Sequence, residues 1–341
     1  MEPKHLSYFK VENFKRFDSL EVNDIGQFNL IVGDNNVGKT SLLEALLFDD
    51  DDYGQCQFNF WTTLKWKKIL LNVQAHNLLG YFLKNKKQPI TFSFNKDNSR
   101  LLIRPRLRAD LNLEESEKLA TQLFLNNNLN HLLEFQNNGM SSIQLVSDTL
   151  NSSTYVPFVG FTMTYDQDLV RIFSAISIET ANLKQLESDL KLFIPNLESI
   201  EINSAIIPQE TVVAIRESNK DLIPLLQYGD GTIKLFRYLL ELNLCENKRL
   251  MIDEIDTGIH YSRLKDYLKM VIQTAKNKNV QIFATTHSKE CLQYYKEALE
   301  ELKLQDDARI IRLADTKHGT HSFTYNFAQF DNALLAGSEI R

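Results

Sequence analysis

Gly33-Asp34-Asn35-Asn36-Val37-Gly38-Lys39-Thr40-Ser41 sets two glycines, a lysine and two adjacent hydroxyls at the spacing of a loop that cradles phosphates. An apolar, strand-like run, Phe28 to Val32, precedes it, and a leucine-rich helical run, Leu42 to Phe48, follows. A glycine-rich loop entering a helix presents backbone N–H groups and the positive end of the helix dipole to anionic oxygens. In such a loop, the Walker A form, Lys39 reaches the β- and γ-phosphates of a nucleotide and Thr40 holds Mg²⁺.

Arg249-Leu250-Met251-Ile252-Asp253-Glu254 is a short apolar strand ending in two acids. This is the Walker B form, in which Asp253 supports Mg²⁺ and Glu254 orients the attacking water. A carboxylate at the carboxyl end of a strand suits the task, because ligands of open α/β sheets collect there. Val280 to Thr286 reads as another strand and ends in His287-Ser288. An imidazole at that tip can donate a hydrogen bond to a γ-phosphate, which makes His287 the candidate sensor.

Leu226-Gln227-Tyr228-Gly229-Asp230-Gly231-Thr232 precedes a helical run with Ile233, Phe236, Leu239, Leu240 and Leu244 on one face. With Val11 to Phe17, the loop and helix from Val32 to Glu44, Asp253 to His260 and Thr286-His287-Ser288, this set resembles the ABC-type ATPases. It is most similar to the branch holding the OLD nucleases and the ATPases of anti-phage systems, including the ATPase subunit of PARIS-type systems; SMC-like repair ATPases are more distant. The motifs cover the two ends of the chain, and none identifies residues from about 50 to 220.

The resemblance implies an α/β P-loop NTPase fold, an ABC-ATPase head with an antiparallel side sheet and an embedded helical lobe. It implies ATP and Mg²⁺ as ligands and a head-to-tail homodimer or higher homo-oligomer. There Gly229, Asp230 and Gly231 would act as a signature loop closing over the γ-phosphate in trans, and Asp256 to His260 would lie at the dimer interface. The LSGGQ serine of the family has no direct counterpart, since Tyr228 or Asp230 occupies its neighbourhood.

The elements that must position these groups are read more coarsely. A single ATPase over 1–341 is expected, its nucleotide-binding core at 1–50 and 222–341 and an embedded β and helical lobe at 51–221. Strands are expected near Ser7 to Phe14, at Ile90 to Phe94, Leu101 to Arg104 and Ile143 to Val146, and at Ala308 to Leu313 as a last, sheet-closing strand. Helices are expected at Leu64 to Leu83, Glu114 to Phe135 and, as one longer stretch, Asp166 to Phe193. The run Asp49 to Asp52 reads as a solvated loop ending the helix after the P-loop. Neither long helical stretch keeps the heptads of a coiled coil.

Composition sets outer bounds. The 341 residues carry 44 acids against 38 lysines and arginines, a formal charge of −6. Cys56, Cys245 and Cys291 are well separated and read as reduced thiols. No leader-like or membrane-length apolar stretch is present, so a cytoplasmic location without membrane contact is expected. From Lys84 to Arg108, eight basic residues (Lys84, Lys86, Lys87, Lys96, Arg100, Arg104, Arg106 and Arg108) face one acid, Asp97. Such a segment can track nucleic-acid phosphates or dock an acidic partner; a solvated face whose charges strands split between two sides is the plainer alternative.

OLD nucleases carry a Toprim module after the ATPase, whereas about fifty residues follow His287 here. The expectation is therefore an ATP-binding and hydrolysing sensor or scaffold of a bacterial anti-phage system, with a separate, Toprim-like nuclease as effector. A DNA repair or clamp ATPase acting directly on nucleic acid, and a nucleotide-dependent interaction protein with negligible turnover, are the two other readings.

Overall fold

The computed structural model describes residues 5–48, 82–85, 88–95, 99–105, 118–125, 128–136, 157–160, 167–204, 210–219 and 221–336. The chain divides into two compact units: Met1–His5, Gln27–Asn29 and Pro157–Ala308 in the first, and Leu6–Gly26, Leu30–Val156 and Arg309–Arg341 in the second.

The second unit opens on β1 (Phe9–Phe14) and β2 (Phe17–Val22), an antiparallel hairpin. Its tight turn, Lys15-Arg16, has Lys15 (φ 51°) in the left-handed region, as is Asn13 (φ 58°) within β1 just before it. The Asn13 amide donates to the carbonyls of Asn85, Gln88 and Pro89, which offsets the strain of its backbone. β4 (Ile90–Phe94), β5 (Ser99–Pro105), β6 (Lys118–Leu125) and β7 (Asn128–Gln136) extend the hairpin into a sheet ordered β2-β1-β4-β5-β6-β7, antiparallel throughout. This is the antiparallel side sheet.

Alternation in β1 and β4 sends Phe9, Val11, Phe92 and Phe94 inward. Their rings meet Phe14, Phe48 and Phe82, with Phe92 stacked on Phe48 at 4.4 Å and Phe14 on Phe82 at 5.5 Å. Phe48 lies just past α1 (Lys39–Ala45), so this aromatic core backs the helix that leaves the Gly33–Ser41 loop. β3 (Phe28–Gly33) runs through both units, and in the second its end neighbours β14 (Ala308–Thr316), which pairs antiparallel with β15 (Gly319–Tyr325). After β15 comes a short helix, Phe327–Leu335, opened by an Asn326–Gln329 capping box.

In the first unit the start of β3 lies beside β13 (Gln281–Thr285), then β12 (Arg249–Ile252), then β8 (Phe158–Val159). Ile282 N donates to Gln27 O at 2.8 Å, and the Asn29 amide donates to Ile282 O at 3.0 Å. β12 and β13 are parallel, and apart from a half-buried Arg249 every residue of both is buried, as expected of near-continuous apolar runs in a covered parallel sheet. A second, antiparallel sheet has the order β11 (Leu222–Pro224), β10 (Val212–Glu217), β9 (Leu197–Asn203). The helices are α2 (Gln167–Ser177), α3 (Thr180–Leu190), α4 (Asp230–Leu244), α5 (Tyr261–Asn277) and α6 (Lys289–Leu302). No helix among the described residues is long and apolar enough to cross a membrane.

Several sequence expectations need correction. Glu114 to Phe135 holds the β6–β7 hairpin rather than a helix, since Leu119 and Leu123 are spaced for a helix face yet enter an antiparallel ladder that pairs them with Phe135 and His131. Asp166 to Phe193 is two helices, because Glu179 takes an extended conformation (φ −91°, ψ 105°) and restarts the chain as the N-cap of α3. Ala308 to Leu313 is a strand but not the last, as β15 follows it. Ile143 to Val146, Asp49 to Asp52, Cys56 and most of Leu64 to Leu83 fall outside the described residues.

Replacing Phe92 with Ala removes the ring that touches four others in the aromatic core. The expected loss is about 3–5 kcal/mol of unfolding free energy, read as a lower urea midpoint. A loss under about 1 kcal/mol would mean the rings do not form one packed cluster.

Candidate functional site

In the second unit the Gly33–Ser41 loop is shaped by positions that exclude a side chain. Gly33 has φ +144°, and a Cβ there would stand 2.4 Å from the Leu313 carbonyl oxygen. Gly38 has φ +105°, and its Cβ would meet Arg16 Cδ and the Phe17 ring, each at 2.7 Å. Asn36 also takes the left-handed region, at φ 62°. The chain is thus folded back on itself around Asp34, Asn35 and Asn36, which are exposed, while Val37 is buried beneath. Lys39 is buried, and its ammonium donates to the carbonyls of Gly33 at 2.7 Å and Asp34 at 2.8 Å, arching over the loop. Thr40 and Ser41 are half-buried at the start of α1.

The β1–β2 turn supplies the floor. Arg16 pairs with Asp315, whose carboxyl is held below the usual range by the Thr320 hydroxyl and by the neighbouring guanidinium. Lys15 forms a buried ion pair with Glu44 of α1. Arg16 and Phe17, at the end of the segment Val11 to Phe17, are therefore the wall against which Gly38 packs.

In the first unit the parallel register Ile252↔Ala284 brings Asp253 level with Thr285. Asp253 is buried, and its Oδ1 accepts from the Thr285 hydroxyl at 2.7 Å. That same hydroxyl oxygen accepts from Glu254 N at 2.8 Å. Glu254 has φ +53°, a conformation that costs a non-glycine residue about 1 kcal/mol or more and persists where neighbours fix it. Here the fixing groups are Thr285, the Ile255 N–H donating to Thr285 O at 3.0 Å, and the Thr257 hydroxyl donating to Glu254 Oε2 at 3.0 Å. Beyond them Thr286 Oγ1 donates to Asp256 at 2.7 Å and accepts from Ser288 N at 3.0 Å. His287 stands exposed at this strand tip, ahead of α6, whose N-cap is Ser288.

Gly229, Asp230 and Gly231 open α4 in the same unit. Gly231 is needed for packing, since its Cβ would lie 3.2 Å from Gly258 O and 3.3 Å from Ile259 Cδ1. Gly229 differs: its backbone is ordinary (φ −62°, ψ 153°) and a Cβ would meet nothing within 4 Å among the described residues. Tyr228, which stands where the family pattern approaches serine, donates its hydroxyl to Glu217 at 2.8 Å and so ties the loop to β10. Asp230 is exposed in the first turn, where an acid suits the helix dipole.

One group unflagged by the sequence reading stands out. Lys234 of α4 is 4% exposed, and its ammonium donates to Thr257 O at 2.7 Å. Burial lowers its pKa, while Glu254, Asp230 and Asp256 oppose that shift. No sequence signal marked it, because the apolar face read from Ile233, Phe236, Leu239, Leu240 and Leu244 leaves Lys234 off that face, whereas in the fold Ile233 to Leu242 are all buried. Thr285, which holds both Asp253 and Glu254, was likewise passed over as an ordinary strand residue.

Gly33 to Ser41 thus belong to the second unit, and Asp253, Glu254, His287 and Gly229–Gly231 to the first. Of the basic segment, Lys84 pairs with Asp18, and Arg100 and Arg104 lie on β5. Lys86, Lys87, Lys96, Arg106 and Arg108 fall outside the described residues. The Asp253 carboxylate of the first unit, oriented by Thr285, and the Thr40 hydroxyl of the second are each hard oxygen donors, a chemistry that fits Mg²⁺.

Among protein families, the model described as "AAA domain, putative AbiEii toxin, Type IV TA system" matches residues 28–292. A Helicobacter pylori protein named ATP/GTP phosphatase is 25% identical over 329 residues, covering 86% of this chain and 88% of its own. Among solved structures, an Smc head bound to the C-terminal winged-helix domain of ScpA superposes with a TM-score of 0.53 at 11% identity, over 95% of this chain and 99% of that one. The SMC head domain from Thermotoga maritima gives 0.48 at 13% identity, over 95% and 100%. The fold is that of a P-loop NTPase of the ABC-ATPase and SMC-head type, α/β with a mixed sheet and antiparallel sheets.

Thr285→Val keeps the shape of the strand but deletes the hydroxyl shared by Asp253 and Glu254. Each partner left buried without it costs about 1–3 kcal/mol, so urea unfolding should show a clear loss of stability. Wild-type stability in this variant would mean that the hydroxyl does not fix the two acids.

Proposed function

Because the chain belongs to the AAA domain family whose model spans residues 28–292, we propose that it binds Mg-ATP and hydrolyses it slowly to ADP and phosphate. One observation carries this reading: Gly33 and Gly38 leave no room for a Cβ in a loop whose Gly33 and Asp34 carbonyls are capped by the Lys39 ammonium. The name of the Helicobacter pylori relative, an ATP/GTP phosphatase, supports it.

In this reading the backbone N–H groups of Gly33 to Ser41 and the Lys39 ammonium neutralise the β- and γ-phosphates. Thr40 and Asp253 hold Mg²⁺, which when bound supplies charge neutralisation to the phosphates. Glu254 orients the attacking water and accepts its proton, and its fixed turn spares the cost of ordering it at the moment of reaction. His287 donates a hydrogen bond to the γ-phosphate. Gly229 to Gly231 act on the ATP of a second copy of the chain. The open surroundings of Gly229 support this, because neither its dihedrals nor its packing in the chain calls for glycine, whereas close approach of another body does.

The cellular role we infer is that of an ATPase sensor or scaffold in bacterial anti-phage defence, controlling a separate effector of the Toprim-nuclease kind. The motif set of the OLD-like branch and the family's description as a putative toxin of a Type IV TA system support it. Control would work by differential affinity, the effector binding the open and ATP-closed forms unequally.

Lys39→Ala should weaken binding of a fluorescent ATP analogue by about a hundredfold or more, since it removes the charge paired with the phosphates. Unchanged affinity would place the nucleotide elsewhere. Glu254→Gln should bind the analogue as the wild type does and turn over about 10²–10⁴-fold more slowly. A wild-type rate in that variant would remove Glu254 from the chemistry, and turnover that depends on added DNA would favour the repair-ATPase reading over the defence one.

A further inference from the structure

We infer that Lys234 is a positioning residue for the hydrolytic carboxylate, acting through Thr257 to hold Glu254 in its left-handed turn. The inference rests on the assignment of Glu254 as the group that orients water. Its observations lie within the first unit.

Lys234 projects from α4 one helical turn beyond Asp230, and its ammonium donates to the Thr257 carbonyl at 2.7 Å. Thr257 is itself bound twice to the acid: its N–H donates to Glu254 O at 3.1 Å and its hydroxyl to Glu254 Oε2 at 3.0 Å. A continuous path, Lys234 to Thr257 to Glu254, thus joins the helix of the signature loop to the proposed base. The turn also lies along the lysine stem, since a Cβ on Gly258 would be 3.9 Å from Lys234 Cε and Nζ.

A charged lysine buried to 4% exposure is expensive unless it is paired. Asp230, Glu254 and Asp256 all favour its charge. The ammonium in turn lets three carboxylates stand near one another without mutual repulsion unwinding the turn. An apolar residue at this place would pack the stem as well and spare the desolvation, so packing alone does not account for a lysine. The bond to Thr257 and the three acids do.

The test compares Lys234→Met, which keeps the stem, Thr257→Val, which deletes only the hydroxyl, the double variant, Lys234→Arg and Glu254→Gln. Steady-state ATP hydrolysis and equilibrium nucleotide binding are measured on the full chain. Misplacing a catalytic group by a fraction of an ångström to an ångström costs about ten- to a hundredfold, so kcat should fall by that much in Lys234→Met and Thr257→Val. KM and nucleotide affinity should stay within about twofold. The double variant should be no slower than the slower single variant, because both changes cut one link. Lys234→Arg should recover part of the rate by restoring the charge. If Lys234→Met does not fold, Thr257→Val, altered at an exposed residue, still decides the question by its kcat.

A slow Glu254→Gln beside a wild-type kcat in Lys234→Met or Thr257→Val overturns the role of Lys234 alone. Losses that multiply in the double variant, or a raised KM at unchanged kcat, overturn it as well. A wild-type rate in Glu254→Gln overturns the assignment of the base and this inference together.

Discussion

One hydroxyl, that of Thr285, holds the two acids that follow β12 in different ways. By donating to Asp253 it fixes a carboxylate; by accepting from Glu254 N it anchors the first residue of a left-handed turn. The parallel pairing of β12 with β13 is what brings this hydroxyl level with both. A slip of one residue would turn Thr285 to the other face and leave Asp253 buried without its donor. The apolar faces of Leu250, Met251, Ile252, Ile282 and Phe283, all buried, set that register, so the hydrophobic pattern of two short strands governs the polar arrangement at their ends.

A second constraint acts on the loop. Gly33 and Gly38 are squeezed from opposite sides, one by the Leu313 carbonyl of β14 and the other by Arg16 and Phe17 of the β1–β2 turn. The loop is therefore given its curvature by walls rather than by its own sequence alone. The aromatic core of Phe14, Phe48 and Phe92 keeps the floor, the helix α1 and the side sheet in one packed body.

Much of this was legible in the residues. Phe28 to Val32, Arg249 to Ile252 and Val280 to Thr286 read correctly as strands because each is an apolar run closed by a loop motif, an acid pair or a histidine. What escaped had physical causes. Glu114 to Phe135 offers leucines at helical spacing, and the cross-strand pairing of β6 with β7, which residue spacing alone does not reveal, decides that it forms a hairpin. Among the described residues the strands from Leu197 to Pro224 pair only with one another, so no periodic signal marks them against a covered sheet. Thr285 and Lys234 escaped for another reason. Their residue types suit a strand end and a helix face, and their meaning arises from partners that the fold brings to them.

The two walls of the loop come from very different places along the chain. Arg16 and Phe17 precede Gly38 by a few tens of residues, whereas Leu313 follows Gly33 only after the first unit has been spelled out. During synthesis from the N-terminus the floor is thus available almost at once, and the opposite wall arrives only after β12, β13 and their helices have left the ribosome. A nascent chain carries the whole Gly33–Ser41 motif long before it has the carbonyl that finishes its shape. Completion of the Gly33–Ser41 loop is in this way tied to completion of the elements bearing Asp253, Glu254 and His287, so a truncated translation product has the motif but not the fully walled loop.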